Sequence, residues 1–309
     1  MTNCECPGIY KQLELPTEDI VQSIIRLKKF TYDHFLYGGH VCSLGISFVS
    51  LSMMIIISSV IHWELIAIVY LGTLIVYNYD HYRDQALDEK SNEQRTSFVK
   101  KYPRMLPASI IFYTSIFFIL LFLFGNTGSI IVGSVLLLLG VLYTDIFKKM
   151  TKKIIGLKNV YTSLSLTAVL LLTAVYCSVS LDWWFVLFAV FVFSHFIVDT
   201  SFCDLKDITT DQKEGLKTLP VVLGRQKYLM FSHGLNLLNF IVLWTAVAVF
   251  HLSPLALVFT AFFVYRFIYI EKARRDKNSI PFLTNVIVDA EYLLWPVALM
   301  TGMLFFTIA

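Results

Sequence analysis

Nine apolar stretches of about 20 residues divide this chain, at roughly 41–61, 62–80, 105–125, 127–146, 159–181, 183–201, 229–250, 252–272 and 287–308. Each is long enough to cross a bilayer as a helix, and none alternates apolar and polar residues as a strand of a membrane barrel must. Of the 309 residues, 57% are hydrophobic and 15% charged, and the mean hydropathy is +0.68. That balance excludes an ordinary soluble domain. Between the stretches there is no linker and no low-complexity tract. The expected fold class is all-α: one polytopic membrane domain over 1–309, with nine transmembrane helices around a central cavity. Residues 1–32 form a polar N-terminal segment in which IVQSIIRLKKF reads as a short amphipathic helix, and 33–309 form the bundle.

The basic residues give the orientation. Lys11, Arg26, Lys28 and Lys29 precede the first stretch, and the remaining Lys and Arg follow the second, fourth, sixth and eighth stretches or lie in the ends beside them. The other connections and the C-terminus contain none of the 25. The positive-inside rule then puts the N-terminus and the basic loops in the cytoplasm and the C-terminus across the membrane. No cleavable leader is evident, which favours a prokaryotic plasma membrane. Cys4, Cys6, Cys42, Cys177 and Cys203 do not form a disulfide framework, and Cys4-x-Cys6 alone is weak evidence for a metal. The net charge of +3 says little about partners, and nothing suggests nucleic acid or an obligate protein partner.

Two acidic clusters stand on this frame, each where an apolar stretch meets water. The first is Asp80, Asp84 and Asp88; the second is Asp199, Asp204, Asp207 and Asp211. On a helix, residues four apart share a face, so each cluster aims several carboxylates the same way. Like charges so close repel, and a divalent cation relieves the repulsion. Hard oxygen ligands with room for water suit Mg²⁺ holding a substrate phosphate. Both clusters follow even-numbered stretches, two and six, and basic loops follow stretches four and eight. The pattern reads as two four-helix halves plus a ninth helix.

The second cluster carries a resemblance. Asp204-x-x-Asp207-x-x-x-Asp211, followed by Lys213, Gly215, Lys217 and Thr218-Leu-Pro-Val-Val-Leu-Gly224, resembles the second aspartate motif of the UbiA superfamily of intramembrane prenyltransferases. Members of that superfamily have nine membrane helices and aspartate motifs after helices two and six. The first cluster departs from the family pattern Asn-Asp-x-x-Asp-x-x-x-Asp, because Asp80 stands at the Asn and His81 at the first Asp. Arg95-Thr96, Arg104-Met-Leu-Pro107 and Tyr143-Thr-Asp145-Ile-Phe-Lys148-Lys149 are similar to further family pieces.

The resemblance implies a Mg²⁺-dependent enzyme that ionises an allylic polyprenyl diphosphate and passes the prenyl group to a lipophilic acceptor. It implies Asp80, Asp84, Asp88, Asp204, Asp207 and Asp211 as metal ligands, and Asp84, Asp207, Tyr143, Lys148 and Lys213 as catalytic residues. Asn78, a neutral ligand, and Arg83, Arg95, Lys149 and Lys217 are the diphosphate-binding candidates, although any one of the four cations also suits a basic loop without a further role. His81 is a candidate by its place in the first motif. His195 and Asp199, four apart near the end of the sixth stretch, are candidates because ionisable groups inside a membrane are costly; His195 could equally be a structural hydrogen-bonding group. Asp289 and Glu291 face either an acceptor or the interface. A membrane terpene cyclase acting without an acceptor is the alternative, and an ion-coupled transporter a second one.

Overall fold

The computed structural model describes residues 38–88, 104–147 and 150–308, with residues 22, 28 and 35, and it leaves the side chains of 84–88, 285 and 306–308 aside. The rest of the N-terminal segment, Arg95, Lys148 and Lys149 lie outside the described residues, as do the side chains of Asp84 and Asp88. Every element described is helical, as it must be where no water is at hand to satisfy backbone groups. The main helices are α1 (His40–Ile56), α2 (Trp63–Asp88), α3 (Met105–Phe124), α4 (Thr127–Leu142), α5 (Leu157–Thr167), α6 (Val169–Tyr176) and α7 (Trp183–Cys203). They are followed by the short α8 (Ile208–Glu214) and α9 (Leu219–Leu223), then α10 (Arg225–Ala248), α11 (Thr260–Arg275) and α12 (Val288–Ile308).

Among the described residues, seven helical rods are long and apolar enough to cross a membrane. The shorter α1 and the more polar-ended α2 pack in the same bundle and fall short of that measure by length and by composition. The fifth expected stretch is two helices, α5 and α6, meeting at Ala168, and together they span Leu157–Tyr176. The second helix runs on past its apolar part to Asp88, so the first acidic cluster prolongs a membrane helix.

The rods close into a ring. α1 packs on α2 and on α12; α2 on α3 and α4; α4 on α6; α5 on α7; α7 on α10; and α10 on α11. Close approach of α4 to α2 needs Gly140, where a Cβ would stand 2.4 Å from Val76 Cγ2. The hairpins that follow α1 and α6 end alike. Ser58 and Ser178 take positive φ (51° and 54°), and in each case the next residue's N–H reaches back into the helix, Ser59 to Met54 and Val179 to Ala174. This is the left-handed closure that usually falls to glycine, and it recurs after α10, where His251 has φ 58° and Leu252 N–H reaches back to Ala246 O. Two π-turns, Tyr143–Phe147 after α4 and Leu283–Ile287 before α12, widen the backbone at the end of the ring where the acidic clusters lie.

Candidate active site

A cavity of about 490 Å³ opens inside the ring, and its lining follows helical stripes. From α2 come Val69, Gly72, Thr73, Val76, Tyr77, Asp80 and His81, at the three- and four-residue spacing of one helix face. Opposite them, α4 and its π-turn give Gly133, Leu136, Leu137, Gly140, Tyr143 and Thr144, and α5 gives Lys158, Asn159, Thr162, Ser165 and Leu166. α7 with the turn after it adds Phe196, Asp199, Thr200, Cys203, Asp204, Lys206 and Asp207, while α12 adds Val288, Asp289 and Tyr292. Position along each rod sorts these by polarity. Residues at the end bearing the acidic clusters are acidic, basic or hydroxylic, and those deeper in the rods, such as Ile68, Leu137, Val169 and Leu172, are apolar.

At the polar end the first cluster contributes Asp80, whose Oδ1 accepts a hydrogen bond from Thr144 Oγ1 at 2.9 Å. His81 lines the cavity beside it, its ring edge-on to Tyr77 with centroids 4.6 Å apart. Arg83 is turned to Asp145, at 2.8 Å, and Tyr79 donates to the other Asp145 oxygen at 2.7 Å, so the end of α2 is latched to the π-turn. Asn78 is buried but does not line the cavity. Tyr143 does, and its ring stacks on Tyr161 at 5.1 Å.

The second cluster does not lie on one helix. α7 ends at Cys203, Asp204 to Asp207 make a turn, and Asp207 occupies the N-cap position of the new helix α8. Asp204 and Asp207 therefore reach the cavity while Asp211 does not. Gly215, with φ 74°, turns the chain back so that Thr218 Oγ1 donates to Asp211 Oδ2 at 3.2 Å and Leu216 N–H to Asp211 O at 2.9 Å. Asp211 thus folds the motif's own loop. Lys213 and Lys217 are exposed outside the cavity lining, and it is the Lys217 backbone that bonds to Thr151 O and Gly156 N–H. Burial, with Asp204 and Asp207 adding to it against Lys158, pushes the Asp211 carboxyl up from 3.8 to about 6. Its contribution to stability is therefore fully present below about pH 4 and is lost as pH rises through about 6. In metal-free buffer the melting temperature of the parent protein is expected to fall between pH 4 and 6, and Asp211→Asn to flatten that fall; an unchanged slope would refute this.

Both oxygens of Asp204 are engaged by α5: Lys158 Nζ lies 2.7 Å from Oδ1, and Asn159 Nδ2 donates to Oδ2 at 2.7 Å. Asn159 is itself oriented, because its Oδ1 accepts Leu219 N–H at 3.3 Å. Below this level Asp199 edges the cavity with its carboxylate fully taken. Arg266 Nη2 reaches Oδ2 at 2.6 Å, Tyr269 OH donates to Oδ1 at 2.9 Å, and Tyr292 OH also donates to Oδ2. His195 lies behind it, outside the lining, with Nδ1 2.9 Å from Asn239 Nδ2. Asp289 lines the cavity, whereas Glu291, two residues on, turns away to Arg266.

Lys158, Asn159, Lys206 and Arg266 were not singled out by the sequence patterns. Arg266 carried a readable signal, an arginine inside FFVYRFIYI, but it merged with the basic end of its span. Lys158 follows a loop rich in lysines, and only the α5 stripe distinguishes it.

No curated protein matches the chain by sequence. The sequence does match the UbiA prenyltransferase family over residues 45–287. The chain belongs to that family. Among solved structures, an apo UbiA homolog from Aeropyrum pernix K1 superposes with a TM-score of 0.65 at 16% identity, over 87% of this chain and 98% of that one. A UbiA homolog from Archaeoglobus fulgidus, bound to GPP and Mg²⁺, gives 0.64 at 14% identity, over 87% and 99% of the two chains. A digeranylgeranylglyceryl phosphate synthase gives 0.57 at 14%, over 88% and 99%. At such identities the likeness is one of fold, and it covers the whole UbiA bundle.

Proposed function

We propose that the chain is a Mg²⁺-dependent intramembrane prenyltransferase that ionises an allylic polyprenyl diphosphate and passes the prenyl group to a lipophilic acceptor. The observation that carries this reading is the polarity of the cavity: acids and amines at the end of the rods, an apolar well within them. Such a shape receives an amphiphile with a charged head and an isoprenoid tail. The family and the GPP- and Mg²⁺-bound Archaeoglobus homolog support the choice of head group and cation.

Among the described residues no three His, Cys, Asp or Glu side chains gather closely enough to hold an ion by themselves. Asp80 and Asp207 nevertheless offer hard anionic oxygens at the cavity mouth, a donor set that suits Mg²⁺ when diphosphate oxygens and water complete its octahedron. Asp84 and Asp88 extend the Asp80 face of α2 and are proposed to join it. Bound there, Mg²⁺ would stabilise the charge that develops on the departing diphosphate. Lys206 at the mouth adds positive charge. Tyr77, Phe117, Tyr143, Phe196 and Tyr292 present rings to the cavity, each able to stabilise an allylic cation by about 0.5–2 kcal/mol. The apolar well excludes water, which would otherwise quench that cation. By the positive-inside rule the mouth opens at the cytoplasmic face.

The test is pyrophosphate release from geranylgeranyl diphosphate by the detergent-solubilised protein, with extraction of the lipid products. Release is expected on adding a pool of lipophilic aromatic and glycerol-phosphate acceptors with Mg²⁺, and chelation should stop it. Hydrocarbon or cyclic products formed without an acceptor would replace the transferase reading with a cyclase. No release under either condition would overturn both.

A further inference from the structure

We propose that Lys158 is a diphosphate-binding cation carried by the chain itself, parked on Asp204 until substrate arrives, and that Asp204 is its anchor rather than a metal ligand. The inference rests on the diphosphate reading above and deepens it.

Lys158 sits in the first turn of α5, just after Gly156, whose φ of 67° and backbone bond to Lys217 O fix where the helix begins. From there its side chain reaches the cavity mouth, where it remains 30% exposed while Asp204 is only 5% exposed. An ammonium group has three hydrogens to donate, and Asp204 takes one. The other two are available to an anion entering the cavity.

Asp204 is bound differently from a vacant metal ligand. Each of its oxygens meets an N–H donor at 2.7 Å. The amide donor cannot swing away cheaply, because Asn159 is held from behind by Leu219 N–H. Leu219 belongs to the Thr218-Leu-Pro run that follows the aspartates in sequence. The run Leu219, Asn159, Asp204, Lys158 is therefore one chain of hydrogen bonds that uses the second motif to aim a lysine. A metal at Asp204 would have to displace a charge-assisted bond that is already short. A diphosphate only has to share the ammonium, a flexible point charge on a long stem.

The experiment measures calorimetric binding of inorganic pyrophosphate, with Mg²⁺, to the full-length protein in detergent, and of geranylgeraniol as a headless control. Lys158→Met is expected to weaken pyrophosphate binding about 10- to 100-fold, the value of one or two charge-assisted hydrogen bonds, while geranylgeraniol binds as before. Lys158→Arg should restore most of it. Because Lys158→Met leaves Asp204 buried without its cation, the double variant Lys158→Met/Asp204→Asn, neutral throughout, is measured alongside and should show the same selective loss. In Asp204→Asn, pyrophosphate binds more weakly because Lys158 loses its anchor, but at saturating pyrophosphate Mg²⁺ should still bind with unchanged stoichiometry. Undiminished pyrophosphate binding in the double variant, or loss of the Mg²⁺ response in Asp204→Asn, overturns the inference and leaves the prenyltransferase reading standing. Failure of the parent protein to bind pyrophosphate at all would instead sink that reading.

Discussion

Replacing Arg266 by methionine is expected to destabilise the protein more than any other single change in the bundle, by about 3–5 kcal/mol. The guanidinium is completely buried. It reaches both oxygens of Glu291 through Nε at 3.0 Å, Asp199 through Nη2 at 2.6 Å and the His195 carbonyl through Nη1 at 3.1 Å. Without it two carboxylates would stand within the membrane region with no cation between them, and the wall formed by Asp199 and Tyr292 would lose its brace. Thermal unfolding in detergent reads the effect. A melting point within about a degree of the parent's would contradict it. The triple variant Arg266→Met/Asp199→Asn/Glu291→Gln should recover much of the loss, since replacing a whole buried ion group costs far less than breaking it.

Asp207→Asn should do the reverse, losing turnover and keeping the fold. Pyrophosphate release is expected to fall about 100- to 1000-fold, the scale on which a single electrostatic partner of a transition state acts. The melting temperature should hold, because the Asp207 side chain makes no capping hydrogen bond to α8 and asparagine has the same shape. Retention of most activity would remove Asp207 from the site, and a collapse in melting temperature would recast it as a structural residue.

The contrast between Asp207 and Asp211 shows where sequence periodicity stops being informative. Spacing of three and four treats Asp204, Asp207 and Asp211 as one helical face, and it would be one if α7 continued. The helix ends at Cys203 instead, and α8 begins a new axis, so residues alike in spacing diverge in direction. Nothing in local propensity announces that break, and the contacts that hold Asp204 there come from Lys158 and Asn159 on another helix. The first cluster was more legible, because α2 runs unbroken and Asp80 falls on the stripe begun by Val69. The membrane architecture was the most legible of all, since twenty apolar residues in lipid have no alternative to a helix. What stayed hidden were pairings across the ring. Lys158 and Asp204 are 46 residues apart, and Arg266 and Asp199 are 67 apart. No spacing rule couples positions that far apart, and the family motif names Asp204 of the first pair and neither member of the second.

The packing of α12 against α1 has a consequence for how such a protein is made. A chain entering the membrane helix by helix carries Asp199 into lipid long before Arg266, and Arg266 before Glu291. Asp199 waits for a cation until Arg266 enters, and Arg266 is then already paired when α12 supplies Glu291. The last helix to arrive supplies Glu291 and Tyr292 to that network, contributes Asp289 and Tyr292 to the cavity wall, and meets the first helix at the seam. The brace around Arg266 and the wall of the cavity are thus completed in the same event. Until α12 enters, the cavity lacks the wall that Asp289 and Tyr292 give it, so an earlier intermediate holds a groove open on one side in place of a cavity.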